Sequence, residues 1–231
     1  MKKLWAAGAF VLAMAMAPSV MAQDVAVGTP TDAGGFKPFV VGAYMSMGMA
    51  LAVGDLNGDL PGGDIDQKPR FAGGGGAYFD FYLMPILALE GGIGFVGKGY
   101  RTKDDDVKSW MRFVYMEIPL GVKLNIKGFQ AGLAVALNFA LSGKSKSDID
   151  GHETTSTWSG DDWDYTRRFN LGPKITLGYA IPIGPVSLVP GLSWSMHLLN
   201  DVKGDLADDA DAKGRAMNIM FNVGAEFGFG G

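Results

Sequence analysis

The chain contains no cysteine in 231 residues. Disulfide staples, thiolate metal centres and thiol redox chemistry are excluded at once. A basic excess is also missing: the net charge of −4 leaves no cationic footprint for nucleic acid. Membrane helices are missing too. Residues 175–200 carry no charge, but Pro182, Pro185 and Pro190, with Gly184 among them, would break any helix laid over that stretch. Split at Gly184-Pro185, the same run reads as two alternating strands joined by a tight turn.

Glycine is what the chain has in excess, at 35 residues, about twice the usual share. That suits crowded, twisting strands. At the N-terminus, Lys2 and Lys3 precede an uncharged run from Leu4 to Pro18, and Val20-Met21-Ala22 stands before Gln23. This order predicts a cleaved signal peptide over residues 1–22 and export, the first step towards the outer membrane of a Gram-negative cell if the strands that follow read as a barrel. Residues 23–35 then form a short periplasmic segment, and residues 36–231 form one domain.

That domain divides into apolar segments at 36–53, 70–83, 86–101, 111–126, 129–144, 167–182, 186–200 and 215–229. Met84-Pro85, Lys127-Gly128 and Gly184-Pro185 are short connectors. Residues 54–69, 102–110, 145–166 and 201–214 are long ones, and they carry most of the 24 acidic residues, Asp201 included. An even strand number with turns at one end and loops at the other predicts an all-β fold, an eight-stranded antiparallel up-and-down transmembrane β-barrel. A soluble lipocalin-like barrel is the alternative fold.

Periodicity supports the barrel. Met217, Ile219, Phe221, Val223, Ala225, Phe227 and Phe229 share one face of the last segment, opposite Asn218, Asn222 and Glu226. In the fifth segment, Phe129 to Leu141 alternate as an apolar face, and Gln130, Asn138 and Ser142 fall on the other. The charges Asp80, Glu90, Lys98, Glu117, Lys123, Lys174 and Glu226 all occupy the less apolar face of their segments. A cation at the middle of a lipid face would cost about 2–4 kcal/mol, so these seven belong inside, as a lumen charge network. Tyr100, Trp110, Trp158, Trp163 and Tyr165 near the loops, and Phe81, Tyr82, Phe129, Tyr179, Phe227 and Phe229 near the turns, predict two interfacial girdles.

Tyr115-Met116-Glu117-Ile118-Pro119-Leu120-Gly121-Val122-Lys123, followed by a tight turn and a strand ending Ser142-Gly143-Lys144, resembles the PorT-like family of small outer-membrane barrels. Leu89-Glu90 with Phe95 and Lys98-Gly99 resembles that family's preceding strand. The resemblance implies an eight-stranded barrel of OmpA/OmpX-like architecture in the outer membrane, with no biochemical activity assigned to most members. The chain departs from many such barrels at its end, where Gly230-Gly231 follow the last aromatic.

The residues offer three kinds of chemistry. The seven lumen charges read as ion pairs that plug a bore only wide enough for side chains; a narrow ion path through exchanging pairs is the alternative. Pro119, with no N–H to give, predicts a bulge or a local break in pairing. Ser193, Ser195 and His197 share one strand face, but a serine two residues from a histidine stands about 7 Å away, and polar lining is the preferred reading over a lipid-modifying enzyme. Asp55, Asn57, Asp59, Asp64 and Asp66 resemble a calcium loop that lacks the glycine and the final glutamate of an EF-hand, so a solvated acidic loop is preferred over a metal site. No cofactor and no catalytic residue is expected. The expected partners are outer-membrane lipid, the barrel-assembly machinery during insertion, and a surface ligand at the acidic loops, for a protein that acts as a monomer. The reading is thus an envelope or surface-interaction barrel, with a narrow porin-like channel as the alternative.

Overall fold

The computed structural model describes residues 31–32, 35–54, 66–104, 107–149, 152–158, 163, 166–201 and 214–229. Eight long strands carry the fold: β1 (Phe39–Val53), β2 (Arg70–Met84), β3 (Leu87–Asp104), β4 (Val107–Ile126), β5 (Phe129–Ile149), β6 (Phe169–Tyr179), β7 (Val186–Met196) and β8 (Arg215–Phe229). Each pairs antiparallel with its neighbour in sequence, and β8 pairs with β1 from Arg215↔Val53 to Phe229↔Phe39. The sheet is therefore a closed ring of up-and-down strands, and closure removes the exposed edges that an open sheet must protect. Shorter pieces extend it: Asp66–Lys68 pairs with β3, His152–Thr157 with β5 and Ile181–Ile183 with β7. Thr31–Asp32 pairs with Gly35–Phe36 ahead of the ring. The signal peptide, Tyr165 and Gly230-Gly231 lie outside the described residues.

Turn chemistry fixes where the strands reverse. Lys127 (φ 52°) and Gly128 (φ 85°) both adopt positive φ, the requirement of the mirror-image turn whose twist matches a hairpin. The Gly128 N–H also donates to Asn125 Oδ1 at 3.3 Å. Gly128→Ala is expected to destabilise the barrel by about 1 kcal/mol, read as a lowered denaturant midpoint. Gly184 (φ 64°) leads the Gly184-Pro185 turn, glycine supplying the positive φ and proline the fixed φ that follows it. The first turn is displaced by one residue from expectation. Met84 ends β2, and Pro85-Ile86 make the reversal, because proline at the first turn position is pre-set for it. A register shift between Tyr82 and Met84 absorbs the difference.

Side chains alternate as the charges required. Met45 (77% exposed), Phe71 (73%), Leu133 and Ile219 point outward, while Asp80, Lys98, Glu117, Lys123, Lys174 and Glu226 are buried in the bore and Glu90 is nearly so. Pro119 keeps its pairing with Ala136 on β5, but the β3–β4 ladder is interrupted between Gly91↔Leu120 and Gly94↔Glu117. The result is a local break in pairing without a bulge, on the side that a missing N–H would leave unpaired.

Three expectations are corrected. Residues 102–110 and 145–166 are not simply loops: β3, β4 and β5 continue to Asp104, from Val107 and to Ile149, and His152–Thr157 adds another strand. Pairing with the neighbouring strand carries each of these ladders on past the apolar segment. Ser142 does not face the bore. The pairing passes from Tyr115↔Ala140 to Val114↔Ser142, leaving Leu141 as an extra residue, and beyond it Ser142 and Lys144 turn outward. The loop-side girdle is largely absent among the described residues. Tyr100 is mostly buried, with its hydroxyl on Met111 Sδ, and Trp158 and Trp163 pack on Phe113 inside the ring. Tyr82 is likewise buried. The turn-side girdle is present, with Phe39 stacked among Phe79, Phe81 and Phe229.

Candidate functional site: the charged lumen

Near the turns, one ammonium serves three carboxylates. Lys123 on β4 lies 2.5 Å from Asp80 on β2, 3.3 Å from Glu90 on β3 and 3.2 Å from Glu226 on β8. Asp80 and Glu90 sit directly opposite each other across the β2–β3 pair, an arrangement of like charges that destabilises unless something bridges them. Lys123 is that bridge. Glu226 also accepts from the Tyr78 hydroxyl at 2.7 Å and from Gln130 at 2.9 Å. The Tyr78 ring lies 4.5 Å from the Lys123 ammonium and presses against β1 at Gly42, where a Cβ would come within 2.6 Å of its hydroxyl. Asp80 Oδ1 has no hydrogen-bond partner among the described residues.

Towards the loops a second cluster follows. Lys174 on β6 donates to Glu117 on β4 at 2.6 Å, and Lys98 on β3 lies 3.8 Å from the same carboxylate. Lys98 also donates to Asn138 Oδ1 and approaches His197 Nε2, each at 3.0 Å. An ammonium has only protons to give, so Nε2 accepts and Nδ1–H donates to Asp201 Oδ1 at 2.7 Å. Asp201 is held in turn: Asn170 donates to Oδ1 at 2.8 Å and the Ala216 N–H to Oδ2 at 2.6 Å. Tyr115 packs edge-on against His197, and Phe113, Trp158 and Trp163 close over them.

Between the clusters lies a cavity of about 90 Å³, walled by Tyr44, Tyr78, Glu90, Lys123, Gln130 and Lys174. All seven charges expected in the lumen thus fall into these two groups, Lys98, Glu117 and Lys174 above and Asp80, Glu90, Lys123 and Glu226 below. Asp201, one of the long-loop acids by sequence, is the outer anchor of the chain of contacts. Its sequence signal is faint, since a single aspartate after Leu199-Asn200 is indistinguishable from the other loop acids. Asn138 and Gln130 follow from strand alternation, whereas the inward turn of Tyr78 depends on the space left by Gly42.

The remaining candidates are set apart from this network. Asp55, Asn57, Asp59 and Asp64 lie outside the described residues, and Asp66 is described only in its backbone. Among the described residues no group of three or more His, Cys, Asp or Glu is arranged to hold a metal ion. Both ring nitrogens of His197 are engaged by Lys98 and Asp201, leaving neither to act as base towards Ser193 or Ser195. The Ser193 hydroxyl donates instead to Asn222 at 3.4 Å. His152 is exposed on the outer strand.

Among solved structures, the attachment invasion locus protein Ail of Yersinia pestis aligns at 13% identity, covering 81% of this chain and 98% of its own, with a TM-score of 0.42. The outer membrane protein AlkL, solved in lipid bilayers, aligns at 12% identity over 87% and 94%, with a TM-score of 0.46. The outer membrane protease OmpT of Escherichia coli aligns at 11% identity over 87% and 100%, with a TM-score of 0.42. No curated protein matches by sequence. The family model described as an outer membrane protein beta-barrel domain matches residues 32–201. The chain therefore belongs to the outer membrane protein β-barrel domain family.

Proposed function

We propose that the protein is a non-enzymatic, monomeric outer-membrane barrel whose bore is shut by ion pairs, and which serves the envelope structurally or meets partners at its acidic loops. The observation that carries this reading is the pair of buried clusters: Lys123 with three carboxylates, then Lys98 and Lys174 on Glu117, stacked along one narrow lumen. An eight-stranded ring has room for little besides side chains. Ions would have to part pairs that are held at low dielectric, where separating them costs several kcal/mol. In this reading residues 1–22 are removed on export, the assembly machinery inserts the chain, the tight turns face the periplasm and the loops face outward. The resemblance to the PorT-like family around Tyr115–Lys123 fits a barrel without catalysis, as does the engagement of both His197 nitrogens.

One observation favours a second reading. The cavity between the clusters, about 90 Å³, has room for several waters, and it is bordered by Lys123, Glu90 and Lys174. A narrow ion path through exchanging pairs would pass there. Single-channel recording on the refolded protein separates the two. The closed reading expects no steady openings in the wild type, and openings on Glu117→Gln, which releases Lys98 and Lys174 together. Steady wild-type openings that Glu117→Gln or Lys174→Met abolishes would establish the path instead.

A further inference from the structure

Above the outward apolar face, β3, β4 and β5 continue into a sheet extension whose outer surface is cationic. Register places Lys68, Arg101, Trp110 and Lys146 side by side on successive strands. One step nearer the apolar band, Arg112 and Lys144 are neighbours in the next row. Lys68, Arg101, Arg112 and Lys144 are exposed. Arg70, at the start of β2, reaches across β3 to donate to the Met111 carbonyl at 3.1 Å, and its guanidinium lies 5.2 Å from the Trp110 ring. Arg101, paired with Trp110 across β3 and β4, lines the same groove as Arg70. Among the described residues, no carboxylate pairs with Arg70, Arg101, Arg112 or Lys144. Beside them is a groove of about 420 Å³ lined by Arg70, Phe71, Arg101, Trp110 and Lys146. Asp148 and Glu153 line its far end; they lie one row further from the apolar band, and Glu153 is held by Lys146.

Two guanidiniums set close together, with one aimed by a carbonyl and an indole, form the geometry that binds phosphoryl oxygens bidentately. Phe71, 73% exposed, gives the same groove an apolar floor continuous with the outward band. A ligand that satisfies both features has phosphates and an acyl body. We propose that this face binds the phosphorylated headgroup of a lipid in the surrounding leaflet, with Arg70, Arg101, Arg112 and Lys144 contacting phosphate and Trp110 and Phe71 packing on its saccharide or acyl stem. The site deepens the envelope reading by naming a lipid class. It requires insertion into the membrane and is independent of whether the lumen conducts.

The test uses the full mature protein refolded in detergent, its fold checked by heat-modifiable gel migration. Retention of a bis-phosphorylated glucosamine-disaccharide lipid is measured by native mass spectrometry against the same lipid dephosphorylated. The expected result is about a tenfold preference for the phosphorylated lipid. That preference should be lost in Arg101→Gln/Arg112→Gln/Lys144→Gln, partly kept in Arg112→Lys, and weakened in wild type by raising salt from 0.05 to 0.5 M. Equal retention of the two lipids, or a preference that survives both the triple substitution and high salt, would overturn the proposal. Displacement of bound lipid by a soluble sulfated saccharide, with no preference between the two lipids, would also overturn it and assign the face to a soluble polyanion. Single-channel recordings are expected to be the same for wild type and triple variant, so failure of this site is distinguishable from failure of the closed-lumen reading.

Discussion

Lys123→Met is expected to destabilise the barrel by about 3–5 kcal/mol, the cost of removing one partner from a buried ion pair. The effect should fall at the high end, because Lys123 serves Asp80, Glu90 and Glu226 together. Its removal leaves the directly opposed Asp80 and Glu90 with no bridging charge. Among the described residues Asp80 Oδ1 has no hydrogen-bond partner, so none of them takes over when the ammonium on Oδ2 is removed. Equilibrium unfolding from lipid vesicles in guanidinium measures the loss. The same substitution on an Asp80→Asn/Glu226→Gln background should recover most of it, since the charges it strands are then gone. A large non-additive term identifies the cluster as one unit. A loss below about 1 kcal/mol would mean that water reaches the cluster and screens it, since that is the value of an exposed pair, and the closed-lumen reading would fall with it.

The features legible in sequence are those with a strict period. Alternation separates Met217 to Phe229 from Asn218, Asn222 and Glu226, and that alone places the charges inside. The tight turns at Lys127-Gly128 and Gly184-Pro185 are legible because positive φ demands particular residues. What escapes is set by contacts between distant segments. Leu141 becomes a bulge because of how β4 pairs with β5 near Tyr115, and no local signal at Leu141 announces it. Trp158 and Trp163 look like interfacial aromatics by position, yet they pack inward because Phe113 and Tyr115 leave an apolar surface over the upper cluster. Asp201 looks like any other loop acid; His197 is only four residues before it, but the closing of β6 and β8 is what adds Asn170 and the Ala216 N–H. The basic outer face is illegible in sequence for the same reason. Its cations are spread over β2, β3, β4 and β5, and register collects them.

Leu133→Arg is expected to cost about 2–4 kcal/mol, the penalty for a cation near the middle of a lipid-facing barrel strand. Leu133 lies on β5 between Ala134 and Gly132, both turned inward, and its own side chain is 58% exposed. In a water-soluble barrel such a residue makes few contacts, and an exposed arginine there would change stability by no more than about 0.5 kcal/mol. The two fold readings therefore differ by several-fold at one residue. Lys144, on the same strand, is the internal control: it already carries a cation at the rim, and Lys144→Arg should leave stability unchanged within about 0.5 kcal/mol. The depth dependence between these positions maps the apolar band. A steep penalty at Leu133, beside a native cation already held at Lys144, places the boundary between hydrocarbon and headgroup between those two positions, below the row of Arg112 and Lys144, which is where the phosphate site requires it to be.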